Sequence, residues 1–247
     1  MRPSRRRLVS AADEGSRPAD VRKRTQALSG HGRRGRGDMT RRDRTTRDPT
    51  ARDRKSRRHV LAAMLRHVPF DGWSAAALDR ALSDCAVSPA EGRRMFPDGA
   101  RELLAAFLAE GDRRITVALA EQDLAPLKVR ERVALAVRLR IEAQAGEREA
   151  VRRALGALAL PSHAGLGARA LWATVDAIWR GIGDRSHDFN FYTKRAILAG
   201  VYASTLLAWI ADGSEDGGET WAFLDRRVAD ALRIGGRLGR LIKGGAA

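Results

Sequence analysis

Cysteine occurs once in the 247 residues, at Cys85. A single thiol cannot close an intrachain disulfide, which excludes a disulfide-stapled secreted scaffold. It also excludes zinc ribbons and iron–sulfur centres built on several thiolates. Aromatic residues are sparse, at 5% of the chain, with five tryptophans, six phenylalanines and two tyrosines. Long hydrophobic runs are missing as well. The longest stretch without a charge, Ala196 to Ala211, is 16 residues and contains Gly200, Tyr202, Ser204 and Thr205. A spanning helix needs about 20 apolar residues, so this stretch predicts a buried central helix and no transmembrane segment. Period-two alternation and Asn-Gly hairpin turns are absent, which argues against a sheet. The usual catalytic signatures are absent too: no Gly-x-Gly-x-x-Gly, no P-loop, no Gly-x-Ser-x-Gly elbow and no Glu-x-x-His pair of a di-iron bundle. His163 and His187 have no ligand partner at helical spacing. Cys85 ends a short helix in an apolar setting and reads as an inert thiol. The expectation is a protein that is not an enzyme and carries no cofactor or metal.

What is present begins with charge. Lys and Arg total 46 against 30 Asp and Glu, a formal net of +16. The excess is concentrated at the start: residues 1–58 carry 20 basic and 7 acidic side chains, the remainder 26 and 23. The basic character therefore describes a tail and not the body. Residues 1–54 read as a disordered basic tail, since Arg5-Arg6-Arg7, Arg33-Arg34-Gly35-Arg36 and Arg41-Arg42 have almost no apolar residues between them to offset ordering entropy. The tail reads either as a solvated extension or as a loose electrostatic contact with nucleic acid or anionic lipid. No apolar h-region follows the basic start, and the seven acids weigh against a mitochondrial transit peptide. With the Arg/Ala-rich composition this favours a bacterial cytoplasmic protein.

From His59 onward apolar residues recur at three- and four-residue spacing, the signature of amphipathic helix. A first helix is expected at 55–67, broken by Pro69-Phe70-Asp71-Gly72. Ser74 caps a second at 75–85. Ser88-Pro89-Ala90-Glu91 is a capping box with proline at the first helical position, starting a third helix that ends near Met95. A tight Ala86-Val87 turn between these two makes a helix-turn-helix outline. Longer helices are expected at 98–122, 127–144, 147–159, 165–182, 189–211 and 217–234. Residues 55–97 thus form a helix-turn-helix-like head and 98–247 a helical domain, an all-α architecture.

The informative segment runs from Trp172 to Trp209. Trp172, Asp176 and Trp179 lie at i, i+4 and i+7 on one helix face. Aromatics at that spacing usually pack in a core, which covers Trp172 and Trp179. Phe191-Tyr192 beside Lys194-Arg195 is different. Neighbouring helical residues point in different directions, so at least one of these aromatics is exposed next to a cation. Exposed aromatic plus arginine is a common composition of binding hot spots.

These residues resemble a known family, the ninth coenzyme Q biosynthesis factor. The resemblance spans residues 59–234 and rests on four strings: His67-Val68-Pro69-Phe70-Asp71-Gly72-Trp73-Ser74; Leu171-Trp172 through Asp176-Ala177-Ile178-Trp179; Asp188-Phe189-Asn190-Phe191-Tyr192-Thr193-Lys194-Arg195; and Thr220-Trp221-Ala222-Phe223-Leu224-Asp225-Arg226-Arg227. It implies a fold similar to TetR-type regulators, with a three-helix head and a helical-bundle ligand domain that binds lipid. It implies binding of isoprenoid quinone intermediates and phospholipid, and presentation of the intermediate to demethoxyubiquinone hydroxylase, a di-iron membrane enzyme. Asp188, Asn190, Phe191, Tyr192 and Lys194 match the partner-binding patch. Arg195 matches a residue associated with a phospholipid headgroup, and Trp172 and Trp179 fall on the lipid-binding side. The string departs at Phe191, where the family often has tryptophan. Some members also carry a membrane-lying C-terminal helix. Here Val228, Leu232, Leu238, Leu241 and Ile242 face Arg227, Arg233, Arg237, Arg240 and Lys243, interrupted by Gly235-Gly236 and Gly239, each costing about 1 kcal/mol in a helix. That stretch reads equally as a membrane-surface helix or a solvated tail.

A polyprenyl tail leaves a bilayer unaided at a cost of about 0.8 kcal/mol per CH₂, so an apolar tunnel in a protein peripheral to the inner membrane would supply the missing environment. The rival reading is a TetR-like DNA-binding regulator. Its reading helix would be Pro89–Met95, where Arg93 and Arg94 are available but Glu91 opposes phosphates; no specific nucleic-acid partner is expected. A plain lipid carrier is a third reading, and a homodimer follows by analogy with TetR-like proteins.

Overall fold

Segments rich in Ala, Leu and Arg fold as helices, and several breaks fall at proline or at glycine with positive φ: Gly72, Pro97-Asp98-Gly99, Pro126, Pro161 and Gly183. The computed structural model describes residues 51–184, 189–214 and 216–244, without the side chains of 51, 52, 189, 190, 232 and 234–244. Nine α-helices lie among the described residues: α1 (Ala51–Asp71), α2 (Ala75–Asp84), α3 (Pro89–Met95), α4 (Ala100–Ala120), α5 (Val129–Glu142), α6 (Arg148–Leu158), α7 (Ala164–Gly181), α8 (Phe189–Ala211) and α9 (Gly218–Gly244). No strand occurs among them. Single 3₁₀ turns precede α6 and α7 at Ala145–Glu147 and Pro161–His163. Most of the expected tail, residues 1–50, lies outside the described residues.

Two helices differ from expectation. α1 starts earlier than residue 55 and runs through Pro69 to Asp71. Proline there removes one backbone donor in a last turn that is about to end anyway. Gly72, at φ +66°, ends it by donating its N–H to the Val68 carbonyl at 2.8 Å. α9 does not stop near residue 234 but continues to Gly244. Glycine lowers helix propensity without forbidding helical backbone, and no proline follows to stop it. Val228, expected on a membrane-facing stripe, is buried in the core with Leu224.

The head follows its capping chemistry. Ser74 Oγ accepts from the Ala77 N–H, and Ser88 Oγ from the Glu91 N–H, each at 3.2 Å. α2 ends in a Schellman motif: Val87 N–H donates to the Leu82 carbonyl at 2.9 Å and Ala86 N–H to the Ser83 carbonyl at 3.0 Å. Ala86 occupies the left-handed position at φ +52°, where glycine is usual. The head is tied down by side chains. Trp73 packs on Phe107 of α4, ring centroids 5.1 Å apart, and its Nε1–H donates to the Ala150 carbonyl of α6 at 3.1 Å. Arg57 of α1 pairs with Glu102 of α4 at 2.5 Å.

Behind the head, α4, α5, α7, α8 and α9 pack around Leu103, Phe107, Ile115, Val137, Val175, Ile178 and Leu198, all buried. One polar cluster lies inside this apolar layer. Arg140 of α5 is 1% exposed. Its Nε donates to Asp112 Oδ1 of α4 at 3.0 Å, and its Nη1 donates to Gln144 Oε1. Thr174 of α7 donates its hydroxyl to the same Asp112 oxygen at 2.7 Å. The guanidinium carbon lies 5.9 Å from the centre of the Tyr202 ring of α8. Gly111 makes this fit: a Cβ there would fall 2.5 Å from the guanidinium carbon. Burial pushes the Tyr202 hydroxyl pKa up.

Candidate functional site: the aromatic face of α7 and α8

The turn leaving α7 builds the site. Gly183 takes φ +91°, and the chain closes a second Schellman motif, Asp184 N–H to the Trp179 carbonyl at 2.9 Å and Gly183 N–H to the Arg180 carbonyl at 3.0 Å. This returns the Asp184 carboxylate toward α8. Asp184 accepts from Lys194 Nζ at 2.9 Å and lies 3.5 Å from Arg195 Nη1. Asp176, one turn before the end of α7, accepts from Arg195 Nε at 2.8 Å and pairs with Arg180 at 2.8 Å.

Arg195 is 1% exposed, among the most buried side chains of the molecule. Burying a guanidinium is tolerable only when carboxylates and hydrogen bonds match it, and Asp176 and Asp184 do so here. A lipid phosphate would have to displace one of them to reach it. The Phe191 ring lies over the guanidinium, 3.4 Å from its centroid to the carbon. Phe191 meets Tyr192 edge-on at 5.0 Å. Trp172, reaching across from α7, lies 6.1 Å from Tyr192, nearly parallel at 28°, and 6.4 Å from Phe191.

Tyr192 is 62% exposed and Trp172 39% exposed. Trp172 is therefore not a core residue, as its helical spacing suggested. The stripe Trp172-Asp176-Trp179 faces the first turns of α8, at the end of the bundle where core gives way to surface. Trp179 is half-buried, with Lys194 Nζ 5.4 Å above its ring. Its Nε1–H is buried and finds no acceptor among the described residues. Asp188 lies outside the described residues; Asn190 belongs to α8, but its side chain also lies outside them. The structure thus brings Trp172, Trp179, Phe191, Tyr192, Lys194 and Arg195 together. Asp184, which residue spacing did not single out, holds two of them; the signal was the Gly183-Asp184 pair after a helix.

At the far end of α8, Asp212 accepts from the Ser214 hydroxyl at 2.6 Å and the Thr220 N–H at 2.9 Å. Those hydrogen bonds, the Ser214 hydroxyl first, hold its carboxyl well below the usual carboxylate range. The string Thr220–Arg227 thus begins α9 on an aspartate from the preceding turn. In the head, Glu91, Arg93 and Arg94 are all exposed on the short α3. Among the described residues no three His, Cys, Asp or Glu side chains are grouped to hold a metal, and no helix is long and apolar enough to cross a membrane.

Known proteins resemble this chain in two ways. The crystal structure of the TetR transcriptional regulator from Nitrosomonas europaea superposes with a TM-score of 0.59, covering 72% of this chain and 98% of that one at 22% identity. At that identity the likeness speaks for the fold alone, which is TetR-like. In sequence, ubiquinone biosynthesis protein COQ9-B, mitochondrial, of Xenopus laevis is 35% identical over 198 residues, 77% of this chain and 67% of that protein. COQ9-A of the same species is 36% identical and the human COQ9 35% identical, each over 186 residues, 72% of this chain and 58% of the relative. The chain thus spans between about three-fifths and two-thirds of the length of these relatives, which are named as mitochondrial proteins. The COQ9 family model matches residues 164–235, the stretch that holds α7, α8 and the start of α9. By these matches the chain belongs to the COQ9 family.

Proposed function

We propose that this protein serves ubiquinone biosynthesis as a non-catalytic accessory protein. It binds isoprenoid quinone intermediates at a membrane surface and presents them to demethoxyubiquinone hydroxylase through the aromatic face of α7 and α8. The observation that carries the reading is the exposed pair Trp172 and Tyr192, held in one cluster with the half-buried Phe191 at the edge of the bundle. Exposed, clustered aromatics with cations at their margin are the anchors from which protein interfaces draw most of their binding energy. The buried, unpaired Nε1–H of Trp179 beneath this face offers a donor to the polar head of a bound lipid.

The test has two arms. Lipids extracted from the purified full chain are identified by mass spectrometry, with a quinone intermediate or phospholipid expected in near-stoichiometric amount. The double variant Phe191→Ala/Tyr192→Ala is then used to capture the hydroxylase. Loss of capture with bound lipid retained supports presentation through this face. Loss of lipid as well would move both residues into the lipid site. An empty protein that shifts a specific DNA fragment at physiological salt would replace the proposal with a transcription regulator.

A further inference from the structure

We propose that Arg195 is a positioning residue: its guanidinium is the platform that sets the attitude of Phe191 and, through it, of the Trp172–Tyr192 pair. The inference rests on the aromatic face being the docking surface.

The argument starts with the donors. Nε donates to Asp176 Oδ1 at 2.8 Å and Nη2 lies 2.8 Å from the same oxygen. Nη1 donates to the Phe191 carbonyl at 3.2 Å and faces Asp184 Oδ2 at 3.5 Å. The edge of the guanidinium is therefore occupied by the protein on all sides. What remains is its flat face, and Phe191 covers it at 3.4 Å. Phe191 and Arg195 are four residues apart on α8, so they stand one above the other. Asp176 belongs to α7, and Asp184 to the turn that follows it. The guanidinium is thus pinned from α7 and its C-terminal turn while carrying a ring from α8.

A side chain fixed in this way restricts the ring that rests on it. Phe191 in turn contacts Tyr192 at 5.0 Å and Trp172 at 6.4 Å. Aromatic anchors ordered before a partner arrives do not lose that rotamer freedom on binding, which raises affinity without a new contact. Charge alone cannot do this. Lysine would keep the positive charge near Asp176 but has no plane for a ring to stack on and no fork to reach Asp184 at the same time.

The experiment uses the full chain labelled with 5-fluorotryptophan, read by ¹⁹F NMR. The Trp172 resonance is identified by its loss in Trp172→Phe. Arg195→Lys is compared with Arg180→Ala, which removes the exposed partner of Asp176 and leaves the platform intact. The expected result is a shifted or broadened Trp172 resonance in Arg195→Lys, with capture of the hydroxylase weakened about tenfold, the loss expected from releasing two or three anchor side chains. Arg180→Ala leaves both unchanged. An unmoved Trp172 resonance in folded Arg195→Lys overturns the proposal. So does loss of bound phospholipid from that variant with Trp172 unmoved, which would make Arg195 a headgroup ligand. If Arg195→Lys does not fold, Asp176→Asn releases the same platform from α7 and is read in the same way. Tyr192→Ala separates the two proposals. If it captures the hydroxylase normally, the docking surface is elsewhere, and the Trp172 resonance still decides what Arg195 does.

Discussion

Arg140 and Arg195 are each 1% exposed, and each is matched by aspartate, but they stand in different company. Around Arg140 the buried Gln144, Thr174 and Tyr202 close on it from the turn after α5, from α7 and from α8, and the half-buried Asp112 of α4 pairs with it. Around Arg195 the interior is one residue thick. Phe191 covers it, and Tyr192 beyond is open to solvent. α7 serves both, with Thr174 toward the first cluster and Asp176 toward the second, two residues apart and so on different sides of the helix. Burial alone therefore does not distinguish a buried arginine that fixes packing from one that supports a surface; what it touches next does.

The comparison breaks most forcefully at Gly111. A methyl group there would lie 2.5 Å from the Arg140 guanidinium carbon, so Gly111→Ala drives the arginine off Asp112. Breaking a buried pair this way costs about 3–5 kcal/mol. Thermal unfolding followed by circular dichroism should show a drop of about 6–20 °C. Among the described residues no glycine is set against Arg195 in this way, so no glycine-to-alanine change among them should do equal damage there.

Asp112→Ala tests the same cluster by charge. Alone it leaves Arg140 buried and unpaired, at a cost of about 3 kcal/mol. Adding Arg140→Met removes the stranded charge, and the double variant should be more stable than Asp112→Ala by urea unfolding. Asp176→Ala should cost less, because Asp184 still faces Arg195.

A third point on α8 sharpens the contrast by pH. The Asp212 carboxyl is held below its ordinary value, so its contribution is complete above the unfolded carboxylate pKa, about 3.9, and drains away as pH falls below it. Asp212→Asn has no such proton to gain. The Tm gap between the natural protein and Asp212→Asn should therefore be widest near about pH 6 and narrow steadily as pH falls from about 4 to about 2.5. A gap that stayed constant would show that Asp212 acts only through its size.

The two clusters were not equally legible in the residues. Caps announced themselves locally: Ser74 and Ser88 stand directly before their helices and cap them. So did the exposure of one aromatic of the Phe191-Tyr192 pair, since four neighbouring large side chains cannot all point inward; which of the two, Tyr192, only the structure tells. The Arg140 cluster had no local signal. Asp112 lies 28 residues from Arg140 and 62 from Thr174, and each alone looks like a charge or hydroxyl on a solvated face. Its one trace was Gly111, a glycine inside an otherwise good helix, which marks a close approach without naming the neighbour. Trp172 misled because period shows which residues share a face and not whether the facing element continues past it. The length of α9 misled because propensity was read as a stop.

The finest test lies in the turn that delivers Asp184. Gly183→Ala places a Cβ at φ +91° in open space, with no atom within 4 Å, so the cost is backbone strain alone. That strain is about 1 kcal/mol, a Tm loss of about 2–4 °C. The backbone relieves it by turning away from the left-handed region, which carries Asp184 off Lys194 and Arg195. The Arg140 cluster shares no atom with this turn and should not respond. Amide hydrogen exchange separates the two: protection in the first turns of α8 should fall, while the middle of α5 around Arg140 keeps its rate. Equal loss in both places would mean that the arginines belong to one cooperative unit, and the distinction drawn from their neighbours would fail.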